Sequence, residues 1–174
     1  VYDEASDQPH LAGMGSTVTA MVVYGSTVWL GHVGDSRAYL IRDGQILQQT
    51  KDHSLVQDQI DAGLISEEQA KLSMIRNIIT RSIGFERDVR VDALSFSLKR
   101  GDHVLLCTDG LTGHVDDHEI LEIVMNNPRR SVPTKLIDLA NSRGGEDNST
   151  VVLTTAVSRR GRQRKKRRRS GQGE

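Results

Sequence analysis

The feature that most constrains this chain is the run Val104-Leu105-Leu106-Cys107 together with the residues at its end. Four consecutive apolar residues suit a short strand buried on both faces. The strand ends on Thr108-Asp109-Gly110, a carboxylate followed by the residue that lets backbone turn sharply. A charge at the mouth of a dry strand is costly unless it is solvated, paired or bound to a cation. Asp-Gly alone is ordinary turn chemistry. Two further aspartates stand at strand ends: Asp35, after the β-branched stretch Thr27–Val33, and Asp147, ahead of Thr150–Ala156.

Taken in order, the first twelve residues read as a loop or the fraying end of an element, and Gly13-Met14-Gly15-Ser16 leads into a strand over Thr17–Tyr24. Gly25-Ser26 turns the chain into Thr27–Val33, giving a β-hairpin. Ala38–Ile41 and Gln45–Gln49 form a second hairpin about Asp43-Gly44, and that turn explains Asp43 fully. Asp52-His53-Ser54 starts a helix with Leu55, Val56, Ile60 and Leu64 on its apolar face; His53 reads as a capping or solvated histidine. Ser66-Glu67-Glu68-Gln69 is a capping box and predicts a second short helix, and the pattern lapses into a surface loop over 71–77. Ile78–Ile83 and Val89–Leu98 read as strands about Gly84, with Arg81 in a salt bridge. Asp116-Asp117-His118-Glu119 is another capping box, ahead of the stripe Ile120, Leu121, Ile123 and Val124. Ser131-Val132-Pro133 opens a last helix, with Pro133 in its first turn.

Strands dominate and helices come in groups, so the fold is α+β, with antiparallel sheets and helices layered outside them. The single Cys107 lies within the apolar run and reads as a small buried hydrophobe rather than a nucleophile. With no second cysteine there is no intrachain disulfide, which suits a reducing, cytoplasmic setting. No apolar run approaches the ~18 residues that span a bilayer.

The formal net charge of zero hides a segregation. Nine of the 23 basic residues lie between Arg159 and Arg169, which leaves 14 basic and 22 acidic residues in 1–157, a net charge of about −8. The stretch 158–174 reads as a basic disordered tail, open to anionic lipid or nucleic acid through counterion release, or serving as a linker toward a membrane segment. Without interleaved aromatics, base stacking is not indicated.

In such a fold Asp35, Asp109 and Asp147 can meet at one sheet edge. A carboxylate set without His or Cys partners is hard-oxygen chemistry, suited to Mg²⁺ or Mn²⁺ rather than zinc or copper. A pair of such ions activates water and clamps a transferring phosphoryl group.

Gly34-Asp35-Ser36-Arg37-Ala38-Tyr39, Asp52-His53-Ser54-Leu55-Val56, Thr80-Arg81-Ser82-Ile83-Gly84, Thr108-Asp109-Gly110-Leu111-Thr112 and Glu146-Asp147-Asn148-Ser149-Thr150 occur in the order seen in bacterial metal-dependent protein phosphatases. The chain resembles that type 2C serine/threonine family over residues 8–157, and Gly13-Met14-Gly15-Ser16-Thr17 matches the strand entry after its first helices. The resemblance implies a four-layer αββα sandwich of two antiparallel sheets flanked by helices, incomplete at the N-terminus. It implies two Mn²⁺ or Mg²⁺ ions with a weaker third, and hydrolysis of phosphoserine or phosphothreonine in proteins by a metal-activated water. Asp109 and Asp147 match ligands of the metal pair, Asp35 matches a ligand of the third metal, and residues 52–79 match a flap that influences substrate choice. Implied partners are phosphorylated proteins, namely a serine/threonine kinase and its substrates, with the phosphatase acting as a monomer.

The sequence departs from the family pattern in three places. The family's first segment, with its phosphate-holding Arg, Glu-Asp pair and metal-bridging Asp-Gly-Met-Gly-Gly loop, is not represented. Gly113 stands where the family places an Asp, which removes a donor to the third metal. Ser73-Met74 stands where the flap commonly carries His-Pro. These departures predict little phosphatase activity for the 174 residues alone, and they motivate the alternative of a catalytically inactive, phosphatase-like binding or regulatory module.

Overall fold

The computed structural model describes residues 1–145 and 147–157. The first strands, β1 (Val18–Tyr24) and β2 (Thr27–Val33), form the expected hairpin, and β2 pairs on its other side with β5 (Asp92–Ser97). A second sheet contains β3 (Arg37–Arg42), β4 (Gln45–Gln48), β6 (His103–Cys107) and β7 (Val151–Thr155) in the order β4-β3-β6-β7. Every pairing is antiparallel. The β3–β4 turn carries Asp43 at φ 51° and Gly44 at φ 74°, the paired left-handed geometry that an Asp-Gly hairpin turn favours.

The central strands bury both faces, and their alternation sorts side chains between two cores. Ala38, Leu40 and Val104 point toward the other sheet and pack with Val28 and Leu30 of β2. Tyr39, Ile41, Leu105 and Cys107 point the opposite way. There they meet α5 (Asp117–Asn126) and α6 (Val132–Ser142) through Ile120, Val124, Val132, Leu136 and Ala140. The structure is thus two antiparallel sheets flanked by helices. The helical layer covers the four-stranded sheet, whereas Val22 and Trp29, facing outward on the three-stranded sheet, are 64% and 57% exposed.

The short helices obey their sequence signals. Ser54 caps α2 (Leu55–Asp61) by accepting the Gln57 N–H, and the Ser66/Gln69 capping box opens α3 (Glu67–Lys71). Asp116 and Glu119 form the box that opens α5, and Pro133 lies in the first turn of α6. Three readings need correction. Residues 1–12 hold a helical turn, α1 (Tyr2–Asp7), and a 3-10 turn (Pro9–Leu11), with Asp3 and Glu4 suitably placed at the helix start. Residues 78–83 form no strand, because their backbone groups are divided between separate loops: Thr80 N–H donates to His53 O, while Ile83 exchanges hydrogen bonds with Ser16. The strand expected over Val89–Leu98 is confined to Asp92–Ser97. The basic tail lies outside the described residues. Among those that are described, no helix is long and apolar enough to cross a membrane.

Candidate active site

Topology brings the three sequence-predicted aspartates to one end of the four-stranded sheet. Asp35 lies in the link between β2 and β3, where the chain crosses from one sheet to the other. Asp109 opens α4 (Asp109–Thr112), directly after β6, and Asp147 precedes β7. The register pairs Arg37 with Cys107 and Cys107 with Val151, so the start of β3, the end of β6 and the start of β7 lie side by side. All three aspartates line one cleft of about 1060 Å³.

The loops carrying Asp109 and Asp147 are tied together. The Thr108 N–H donates to Thr150 O at 3.2 Å. Its hydroxyl donates to Asn148 O at 3.3 Å and accepts the Thr150 N–H at 3.0 Å. Gly110 completes the contact, since a Cβ at that position would stand 2.5 Å from Asn148 O and 2.9 Å from Ser149 Oγ. Glycine is therefore demanded here by close approach rather than by the turn. The Asp109 carboxylate accepts the Gly110 N–H at 3.0 Å and that of Asp147 accepts the Asn148 N–H at 2.6 Å.

Asp35 is 9% exposed, and beyond a hydrogen bond to its own backbone its carboxylate has no ion-pair or hydrogen-bonding partner in another residue among those described. Burial, and next the Asp109 carboxylate, push its pKa up to about 6. The nearest guanidinium does not relieve it. Arg37 is committed to Asp52, with Nε donating to both carboxylate oxygens at 3.0 Å and Nη2 to Oδ2 at 2.7 Å. Burial opposes the Arg37 charge, but the Asp52 hydrogen bonds prevail and raise its pKa. Tyr39 accepts from Arg37 at 3.1 Å and donates to Asp117 at 2.9 Å, so this wall of the cleft is internally satisfied.

The donor set suits a hard divalent cation in kind: carboxylate oxygens only, one of them buried and in repulsion with a neighbour. In number it falls short, because among the described residues no three His, Cys, Asp or Glu side chains form a group that could hold a metal ion. Gly113 caps α4 and lines the cleft without adding a donor. Burial pushes the Cys107 thiol up to about 12, in keeping with an inert core residue.

His53 departs from its expected role. It is buried, neither capping nor solvated: Nδ1 accepts the Gly34 N–H at 3.0 Å, and Nε2 lies 3.1 Å from Asp92 Oδ2. Arg81 forms its anticipated salt bridge, to Asp92 at 2.7 Å. Sequence reasoning missed the Arg37–Asp52 lock and the packing role of Gly110. Asp52 stands in one of the ordered motifs, but nothing local to it names Arg37 as its partner.

The signature of the family described as Protein phosphatase 2C matches residues 2–86. Over 152 residues the chain is 41% identical to the serine/threonine phosphatase stp of Listeria welshimeri, covering 86% of this chain and 60% of that protein. The crystal structure of the Mycobacterium tuberculosis serine/threonine phosphatase PstP/Ppp superposes with a TM-score of 0.86 at 38% identity, over 90% of this chain and 66% of that one. The catalytic domain of serine threonine protein phosphatase PstP in complex with 2 manganese ions superposes with a TM-score of 0.82 at 38% identity, over 90% and 65%. The chain thus spans less than two thirds of the length of these relatives. Metal-dependent dephosphorylation of proteins is general for the family to which they are assigned. On the ordered motifs, the two-sheet architecture and these likenesses together, the chain belongs to the protein phosphatase 2C family and carries part of that family's domain.

Proposed function

We propose that the full-length protein is a metal-dependent phosphatase acting on phosphoserine and phosphothreonine in proteins, and that residues 1–157 supply the acidic wall and flap of its active site. The observation that carries this reading is the gathering of Asp35, Asp109 and Asp147 on one cleft, with Asp35 buried and without an ion-pair partner among the described residues. Asp109 and Asp147 would hold the metal pair, and Asp35 a weaker third ion. Bound Mn²⁺ or Mg²⁺ supplies water activation and neutralises phosphoryl charge. The chain's own residues orient and shape the site. Arg37, already neutralised by Asp52, fixes the cleft wall, while Ser54, Gln57, Ile60 and Lys71 bring the flap to the cleft's other side. The implied partners are a serine/threonine kinase and its substrates, met in the cytoplasm by a monomeric phosphatase. The basic tail, 158–174, is read as a separate segment available to anionic lipid or nucleic acid.

The shortfall of donors supports a second reading, a phosphatase-like module that binds partners without catalysis. Mn²⁺-dependent cleavage of a phosphothreonine peptide by the full-length gene product separates the two. The phosphatase reading expects turnover that falls at least about a hundredfold with Asp109→Asn. Undiminished turnover in that variant removes the assignment, and failure of the full-length protein to bind Mn²⁺ in calorimetry favours the module.

A further inference from the structure

We propose that His53 is a positioning residue for Asp35, holding the backbone that aims this carboxylate into the cleft. The inference rests on the reading of Asp35 as a cation-holding group. His53 engages both main-chain groups of Gly34: its Nδ1 accepts the Gly34 N–H at 3.0 Å, and its own N–H donates to Gly34 O at 2.8 Å. Gly34 needs such a clamp. Its φ of +113° lies where side chains are strained, and a Cβ there would collide with Thr17, so the position is confined to the residue with the greatest backbone freedom.

The clamp is itself fixed. The other ring nitrogen, Nε2, lies 3.1 Å from Asp92 Oδ2. Arg81 Nη1, which lies 2.8 Å from the same Nε2, holds Asp92 through Oδ1 at 2.7 Å. The His53 ring packs against buried His32 at a 36° tilt, with centroids 4.8 Å apart. His32 is locked by Thr19 Oγ1 at 2.9 Å and Lys51 O at 3.1 Å. On the other side of Asp35, Ser36 is tied to Thr17, just ahead of β1, at 2.8 Å and to Thr19 of β1 at 3.0 Å. Among the described residues the Asp35 carboxylate is held by no other residue and hydrogen-bonds only to its own backbone, so the main chain on either side of it decides where its oxygens point. Residues that orient a cation-binding group from outside its ligand shell are typically worth about 10–100-fold in metal affinity.

The test uses the 174-residue chain, isotope-labelled, with Mg²⁺ alone as the probe. Three forms are compared: unsubstituted, His53→Leu, and His53→Asn, whose side-chain oxygen can still accept the Gly34 N–H. The scalar coupling between the Gly34 amide nitrogen and His53 Nδ1 reports the clamp, and the carboxyl carbon shifts of Asp35 and Asp109 report Mg²⁺. The expected result is an observable coupling in the unsubstituted chain. His53→Leu should raise the Mg²⁺ midpoint at Asp35 about tenfold with little change at Asp109, and His53→Asn should restore most of the loss. A folded His53→Leu chain with an unmoved Asp35 midpoint overturns the proposal, as does absence of the coupling while Asp35 still responds to Mg²⁺; both leave the phosphatase reading standing. If Mg²⁺ does not reach Asp35 in the unsubstituted chain although the coupling is present, the cation reading fails and the proposal fails with it.

Discussion

The two sheets share one interior and differ in what lies outside them. The four-stranded sheet is covered: Leu105 of β6 and Leu136 of α6 are both fully buried in a cluster that joins the sheet to its helical layer. The three-stranded sheet presents Trp29, Val22 and Val18 outward with little cover. A contiguous exposed apolar face is unusual on a stable monomer and marks a surface suited to being covered. All three acidic positions lie at the end of the covered sheet, and the Gly34–Ser36 link joins that sheet to the bare one. Rigidity and chemistry therefore sit together, and only Asp35 depends on contacts from both sheets.

The contrast can be broken by substitution. The largest loss should come from Leu105→Ala, about 3 kcal/mol by urea unfolding, because it removes a side chain from the helix-covered core and leaves a cavity. A loss under about 1 kcal/mol would show that this core is looser than its burial implies. Asp35→Asn should act in the opposite sense. The folded pKa of Asp35 lies above its unfolded value, so the native state binds more protons between about pH 4 and pH 6, and stability falls as pH rises through that window. The substitution should thus stabilise the chain at pH 7.5, by about 3 kcal/mol at most, with the gain vanishing near pH 4. A destabilised Asn variant at pH 7.5 would contradict the claim that Asp35 is buried without compensation.

Gly110→Ala should cost about 2 kcal/mol through overpacking against Asn148, and should shift the amide resonances of 147–150 as the two acidic loops separate. The smallest effect belongs to the bare sheet. Trp29→Ser should change stability by less than about 0.5 kcal/mol while improving solubility, measured by unfolding and by light scattering. A large loss there would mean that the outward face contributes packing the structure does not display.

Much of this architecture could be read locally. Asp43-Gly44, the capping boxes at Ser66 and Asp116, Ser54 before α2 and Pro133 in α6 each act within a few residues, and each stands where expected. The misreadings concern groups satisfied from afar. Residues 78–83 are apolar and β-branched enough for a strand, but their hydrogen bonds run to His53 and Ser16. His53 resembles a helix-start histidine, yet its partners are Gly34, Asp92 and Arg81, 19 to 39 positions distant. The aspartates were legible because each stands next to an apolar strand, a local sign of a costly charge. The packing of Gly110 on Asn148 could not be read, since it depends on β6 and β7 being neighbours.

The central claim is that the buried Asp35 shares its cleft with Asp109 and that cations relieve their repulsion. Titrating the Asp35 carboxyl carbon against pH by NMR, with and without Mg²⁺ and in Asp109→Asn, tests it most directly. The midpoint should lie near 6 in the unsubstituted chain, lower in Asp109→Asn, and lower again when Mg²⁺ is added. A midpoint near 4 that neither the substitution nor Mg²⁺ moves would contradict it.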